Sequence, residues 1–214
     1  MDFDIGLVGY GEVGKIFTHG LKAKTGRWVG AWDLKFADAA TREAECGHAA
    51  ANGIEACASA AALCGQANLI ISAVTASNTL AVAQEVARSI RPGTLFLDFN
   101  SASPGTKAQC AALIDGAGGH YVEAGVMTAV PPYGIKVPML LGGVKATELA
   151  AVLTGWGMNA TAVAEKIGVA SAIKMCRSVM IKGLEALVIE SYTTARAYGV
   201  EEHMIPTLYE TFPG

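Results

Sequence analysis

Two places in this 214-residue chain combine residue types and spacings that could do chemistry. The first is Gly9-Tyr10-Gly11-Glu12-Val13-Gly14, with an acid, Asp33, standing 19 residues past its last glycine. In a chain with 25 glycines such a pattern also arises by chance, so its context matters. Here it leaves an apolar run and opens a helix-like stretch, and that setting suits a dinucleotide. Gly9 permits the tight turn, Gly11 lets a pyrophosphate approach the backbone, and Gly14 lets helix and strand pack closely. Free N–H groups at the helix start, around Glu12 and Val13, then face the phosphates. Asp33 would accept hydrogen bonds from the adenosine ribose. Its charge would repel a 2′-phosphate, which favours NAD over NADP, although Lys35 and Arg42 nearby could receive that phosphate.

The second place is "GVASAIKMCRSVMIKGLEALVIE", Gly168 to Glu190, a helix pattern that is apolar on almost every side. Lys174, Arg177, Ser178 and Lys182 interrupt it. A charge on such a helix must reach water, find a partner or serve chemistry. Lys174 could snorkel to solvent or pair with an acid such as Glu185. Alternatively it faces a crevice, where desolvation would lower its pKa and fit it to exchange a proton. Arg177 and Ser178, about one turn on, would extend that polar strip. Lys182 reads as structural or solvated.

These residues need a scaffold, and the pattern supplies one. Strand-like runs at 3–9, 28–33, 53–57, 68–74, 94–100, 120–126 and 137–143 are separated, up to residue 120, by helical stretches. The rhythm predicts an α/β fold, a Rossmann-type doubly wound and mostly parallel sheet. In "NSASPGTK", Ser103 suits an N-cap with Pro104 at the first helical position. Ligands of such sheets bind beyond the carboxyl ends of the strands. That rule nominates Val74 and Thr75 and then Asn100 for the cofactor, with Ser101, Met127 and Thr128 for a substrate. After residue 164 strand signals cease, and one helix runs from Gly168 to about Tyr198, roughly 45 Å at 1.5 Å per residue. The expected division is therefore a nucleotide-binding domain over 1–164 and an all-α domain, expected to be incomplete, over 165–214, joined by the long helix.

Composition narrows the class. With 52% hydrophobic and 16% charged residues the chain can bury a large core, and a net charge of −3 without a basic cluster argues against nucleic acid. No apolar run reaches the ~20 residues of a membrane span. The five cysteines lack a CxxC pair and read as buried apolar residues in a reducing, cytoplasmic setting, with no metal site.

"GLVGYGEVG", "DFNSASPGTK", "VEAGVMTAVPP…MLLGG" and "GVASAIKMCRS", in that order, resemble the β-hydroxyacid dehydrogenases, the superfamily that includes 3-hydroxyisobutyrate and 6-phosphogluconate dehydrogenases. The tail resembles members with a short phosphogluconate-dehydrogenase-like C-terminal domain. The resemblance implies an NAD(P)-dependent oxidoreductase acting on a small hydroxy acid or related alcohol. It also implies that Lys174 matches the family's proton-transferring lysine, and that a homodimer forms through the C-terminal helices. Departures are plain. Ser178 stands where an Asn is common. Glu123-Ala-Gly-Val-Met-Thr-Ala129 replaces Asp-Ala-Pro-Val-Ser-Gly-Gly, so Met127 occupies the place of a serine. Ile181 stands where decarboxylating members carry a glutamate, which disfavours sugar-phosphate decarboxylation. Alternatives are an imine reductase on the same architecture and a non-catalytic NAD(P)-binding regulator.

Overall fold

The computed structural model describes residues 3–211. Its first unit, Met1–Lys174, is built on one eight-stranded sheet. The strands are β1 (Ile5–Val8), β2 (Val29–Trp32), β3 (Glu55–Ala56), β4 (Leu69–Ser72), β5 (Leu95–Asp98), β6 (His120–Val126), β7 (Met139–Gly142) and β8 (Ala160–Ala164). Their order across the sheet is β3-β2-β1-β4-β5-β6-β7-β8. All pairs are parallel except β6 with β7. IGLV, VGAW, LIIS and LFLD are buried along their whole length, as strands covered on both faces must be.

The helices are α1 (Glu12–Thr25), α2 (Arg42–Ala51), α3 (Ala60–Gln66), α4 (Thr79–Ala87), α5 (Pro104–Gly116), α6 (Ala146–Gly155), α7 (Val169–Tyr198) and α8 (Glu201–Thr211). Ser103 caps α5 by accepting from Thr106 N, with Pro104 at its start, as the sequence predicts. The chain runs outward from β1 through β2 to β3, then crosses back to β4 on β1's other side. This reversal opens the sheet between the carboxyl ends of β1 and β4, the place where such folds bind ligands.

Three features were not read from the sequence. The sheet direction reverses between β6 and β7, where the connection carries no crossover helix of the kind that usually returns a parallel strand; the missing helix itself agrees with the sequence pattern. Helix α6 was not foreseen. Strand β8, ATAVA, lies at the sheet edge and alternates between half-buried and exposed; short Ala and Thr side chains leave little trace of a strand.

The second unit is Met175–Gly214, so the division falls within α7, past the expected position at 164/165. The reason is that the first turn of α7 is buried with the sheet: Ala170 is fully buried and Ser171 nearly so. Within the second unit α7 exposes Val179 (68%) and Leu187 (67%), together with Met180, Leu184 and Val188. No helix among the described residues is long and apolar enough to cross a membrane.

Candidate functional site

The glycine loop joins β1 to α1, and the three glycines do separate work. Gly9 has φ +101°, and a Cβ there would stand 2.3 Å from Ala73 O; a Cβ at Gly14 would stand 2.0 Å from Gly9 O. Those two glycines let the loop, β4 and α1 close on one another. A Cβ at Gly11 would meet nothing within 4 Å. Gly11 is therefore glycine for something other than packing. It is also the N-cap of α1, with no side-chain cap bond, so the helix start offers its N–H groups outward.

Asp33, half-buried at the end of β2, braces this loop. Its Oδ2 accepts from Tyr10 N at 2.6 Å, and its Oδ1 accepts from Lys35 N at 2.9 Å. The carboxylate is thus fixed in place before any ribose meets it. Tyr10 is fully buried. Its hydroxyl is 3.0 Å from His48 Nδ1, and burial pushes its pKa up. Beside it Lys15 bonds Glu45 at 2.7 Å, and that hydrogen bond holds the Glu45 carboxyl below its ordinary range.

A cavity of about 540 Å³ opens over the loop. Gly9, Gly11, Glu12, Val13, Asp33, Val74 and Thr75, all nominated from sequence, line it. Sequence reasoning missed the opposite wall, Asn78, Ala81, Val82 and Glu85 from the start and body of α4. Their i, i+3, i+4, i+7 spacing marks one helix face and was the available signal. The open Gly11, the unpaired helix start and the oriented Asp33 fit a dinucleotide.

A second cavity of about 500 Å³ shares Val13, Val74 and Thr75 with the first, and continues along Phe99, Asn100, Ser101, Val126, Thr128 and Lys174. Its key contact is Lys174 Nζ donating to Ser101 Oγ at 2.7 Å. The lysine is half-buried, its ammonium directed to the carboxyl edge of β5. Asn100 is buried, and its carboxamide is engaged: Oδ1 accepts from Val74 N at 2.7 Å and Nδ2 donates to Ser72 Oγ at 2.9 Å. It pins the loop after β4 that both cavities share. Met127 donates its N–H to Pro138 O and is not among the residues lining this cavity. Arg177, exposed, and Ser178, half-buried, lie on α7 in the second unit. Both cavities are lined by the first unit alone.

Under the second cavity lies a buried ionic pair that sequence reasoning did not foresee. Lys107 Nζ reaches Asp98 Oδ1 at 3.0 Å and Asp98 O at 2.9 Å. Tyr121 donates its hydroxyl to Asp98 Oδ2 at 2.6 Å, and Asn100 N donates to Asp98 Oδ1 at 2.8 Å. Burial lowers the Lys107 pKa, opposed by the Asp98 charge, while burial and Asp98 both raise that of Tyr121. The pair ties α5 to β5 just before Ser101. Removing one partner of such a pair costs about 3–5 kcal/mol.

Among the described residues no group of His, Cys, Asp and Glu is arranged to hold a metal ion. All five cysteines are free; Cys57, Cys64 and Cys110 are buried, Cys46 is partly so, and Cys176 is exposed, contrary to its reading as a buried residue.

Fold and cavity together define a Rossmann-type dinucleotide-binding chain. Residues 4–162 match the model of the NAD binding domain of 6-phosphogluconate dehydrogenase, and the chain belongs to that family. It is 40% identical to a conserved hypothetical protein from Sinorhizobium meliloti, with a TM-score of 0.87 over 98% of this chain and 70% of that one. Mycobacterium tuberculosis 3-hydroxyisobutyrate dehydrogenase, solved with L-serine, shares the fold at 20% identity, with a TM-score of 0.80 over 100% of this chain and 72% of that one. An uncharacterized protein of Methanothermus fervidus is 28% identical over 144 residues, 67% of this chain. The matched region spans 54% of that curated relative's length.

Proposed function

We propose that the chain is the nucleotide-binding part of an NAD-dependent dehydrogenase that interconverts a small hydroxy acid, or a related alcohol, with its carbonyl form. One observation carries this reading: the Lys174 ammonium is bonded to Ser101 in a cavity that shares the walls Val13, Ala73, Val74 and Thr75 with the one over the glycine loop.

When bound, the nicotinamide supplies the redox chemistry. The chain's residues align the substrate and move its proton. As the neutral amine Lys174 takes the proton of the substrate hydroxyl during oxidation, and as the ammonium it donates a proton to the carbonyl oxygen during reduction. Because Ser101 Oγ accepts from Lys174, its own O–H is left to donate to the substrate. Thr128, exposed on the same wall, orients the substrate's far end. Asn100 acts from behind, by holding Val74.

NAD is favoured over NADP because the Asp33 carboxylate is fixed at the cavity wall, where a 2′-phosphate would meet like charge. The exposed apolar residues of α7 in the second unit support a homodimer through the C-terminal helices, and the free thiols fit a cytoplasmic protein. Light scattering tests the dimer, and a monomer would contradict it.

The test of function is to follow NADH and NADPH absorbance with a panel of 2- and 3-hydroxy acids and their oxo counterparts. Turnover with a hydroxy or oxo acid, faster with NAD(H), is the expected result. Turnover of cyclic imines alone, or tight NADH binding without any turnover, would replace this reading by an imine reductase or a non-catalytic regulator.

A further inference from the structure

Glu123 is the one acid on β6, a strand otherwise apolar apart from its first residue, His120. It is completely buried, and an acid is almost never buried without partners. Its partners lie 45 to 48 residues away, at the start of α7. Oε1 accepts from Gly168 N at 2.6 Å and from Ala170 N at 3.1 Å. Oε2 accepts from Ser171 N at 3.3 Å and, in a short bond, from the Ser171 hydroxyl. A carboxylate placed against otherwise unsatisfied N–H groups at the positive end of a helix is doubly favoured.

Two glycines fit this clamp. Gly142 pairs with Glu123 across β6 and β7, and a Cβ there would stand 2.7 Å from Glu123 Oε1. Gly125 lies two residues after Glu123, on the same face of β6. A Cβ at Gly125 would be 3.0 Å from Ala170 O and 3.5 Å from Lys174 Cβ. One face of one strand thus holds two successive turns of α7: Glu123 grips the first, and Gly125 admits the turn that carries Lys174.

We infer that Glu123 is the positioning residue for Lys174, setting the register of α7 so that the ammonium meets Ser101; this rests on the proton-transfer role proposed for Lys174. Glu123 touches neither cavity lining and acts through the helix. Gly142 and Gly125 are its fitted partners.

The experiment uses the full chain labelled with ¹³Cε-lysine, the Lys174 resonance being assigned by its loss in K174R. Glu123→Gln removes the charge, Ser171→Ala removes only the short hydroxyl bond, and Gly125→Ala presses on Ala170 and Lys174 without touching a buried acid. The expected result is that the Lys174 resonance moves in E123Q and G125A, and less in S171A. The exposed lysines stay in place, Lys107 being left out of the comparison in E123Q because it feels the Glu123 charge, and NADH affinity, read by fluorescence, is unchanged. If E123Q does not fold, S171A decides the matter, since it loosens the Glu123 clamp without touching Lys174. A lower melting temperature with an unmoved Lys174 resonance in the folded variants would overturn the proposal, leaving Glu123 as a helix cap only. Failure of the dehydrogenase reading looks different: the resonance moves as expected, while Lys174→Ala retains full turnover on every substrate found.

Discussion

The two cavities that meet at Val13, Val74 and Thr75 are built by different means. Over the glycine loop the chain uses backbone: Gly9 and Gly14 are glycines because β4, the loop and α1 touch, and Gly11 is glycine because nothing does. Beyond Asn100 the chain uses side chains brought from far apart, with Lys174 on Ser101, Lys107 on Asp98 and Glu123 under α7. Backbone demands are local and recur in any chain with the same ligand. Long-range side-chain pairs form only where both distant partners are present. The glycine-loop side is therefore the generic half of the site, and on the proposed reading the Lys174 side sets this chain's particular chemistry.

The largest expected effect separates the two kinds of glycine. Gly14→Ala forces a methyl against Gly9 O and should destabilise the first unit by about 2 kcal/mol or more, with loss of NADH binding. Gly11→Ala should leave the melting temperature unchanged yet weaken NADH binding about tenfold, the equivalent of about 1.4 kcal/mol. Equal melting temperatures for the two variants would break the distinction between packing and ligand glycines. Next in size, Asp33→Ala should weaken NAD binding by about 1.5–3 kcal/mol, the range for a hydrogen bond to a charged group, and NADP binding by less. Competition titrations read both, and an unchanged NAD preference would remove Asp33 from the ribose site.

The smallest effect concerns acid. Glu45 titrates below its ordinary value in the folded chain, chiefly through its hydrogen bond from Lys15. The stability it contributes is then fully present above the ordinary glutamate pKa and is lost as pH falls through the folded value. Melting temperature should decline less steeply in acid for Glu45→Gln than for the native chain. Parallel profiles would show that the Lys15–Glu45 pair contributes nothing to the cofactor loop.

The same contrast governs what could be read in the sequence. Gly9, Gly11, Gly14 and Asp33 announce themselves because a tight turn and a close helix–strand approach, and on the proposed reading a pyrophosphate and a ribose, impose fixed residue types at short range. The Ser103-Pro104 cap is legible for the same reason. Lys174 was conspicuous as a charge on an apolar helix, and the family resemblance implied a proton-transfer role for it, but its meeting with Ser101, 73 residues away, was not read. Glu123 was visible as an acid inside the candidate strand 120–126. Its role was hidden, because nothing in VEAGV says that a helix start 45 residues later needs an acceptor. Strand β8 was missed because a short Ala- and Thr-rich edge segment carries weak periodicity, and its placement is decided by the strand it adds to; helix α6 buries Ala146, Leu149, Ala150 and Leu153, a one-face spacing that was available and went unread.

The central claim is that the generic and the particular halves of the site can be separated at Lys174. Stopped-flow reduction of the best acid found in the substrate panel, with NADH affinity measured on the same samples, tests it directly in Lys174→Ala. The account predicts that turnover falls about 10²–10⁴-fold, the usual worth of a positioned proton donor, while NADH binds as before. Native turnover in that variant would contradict it.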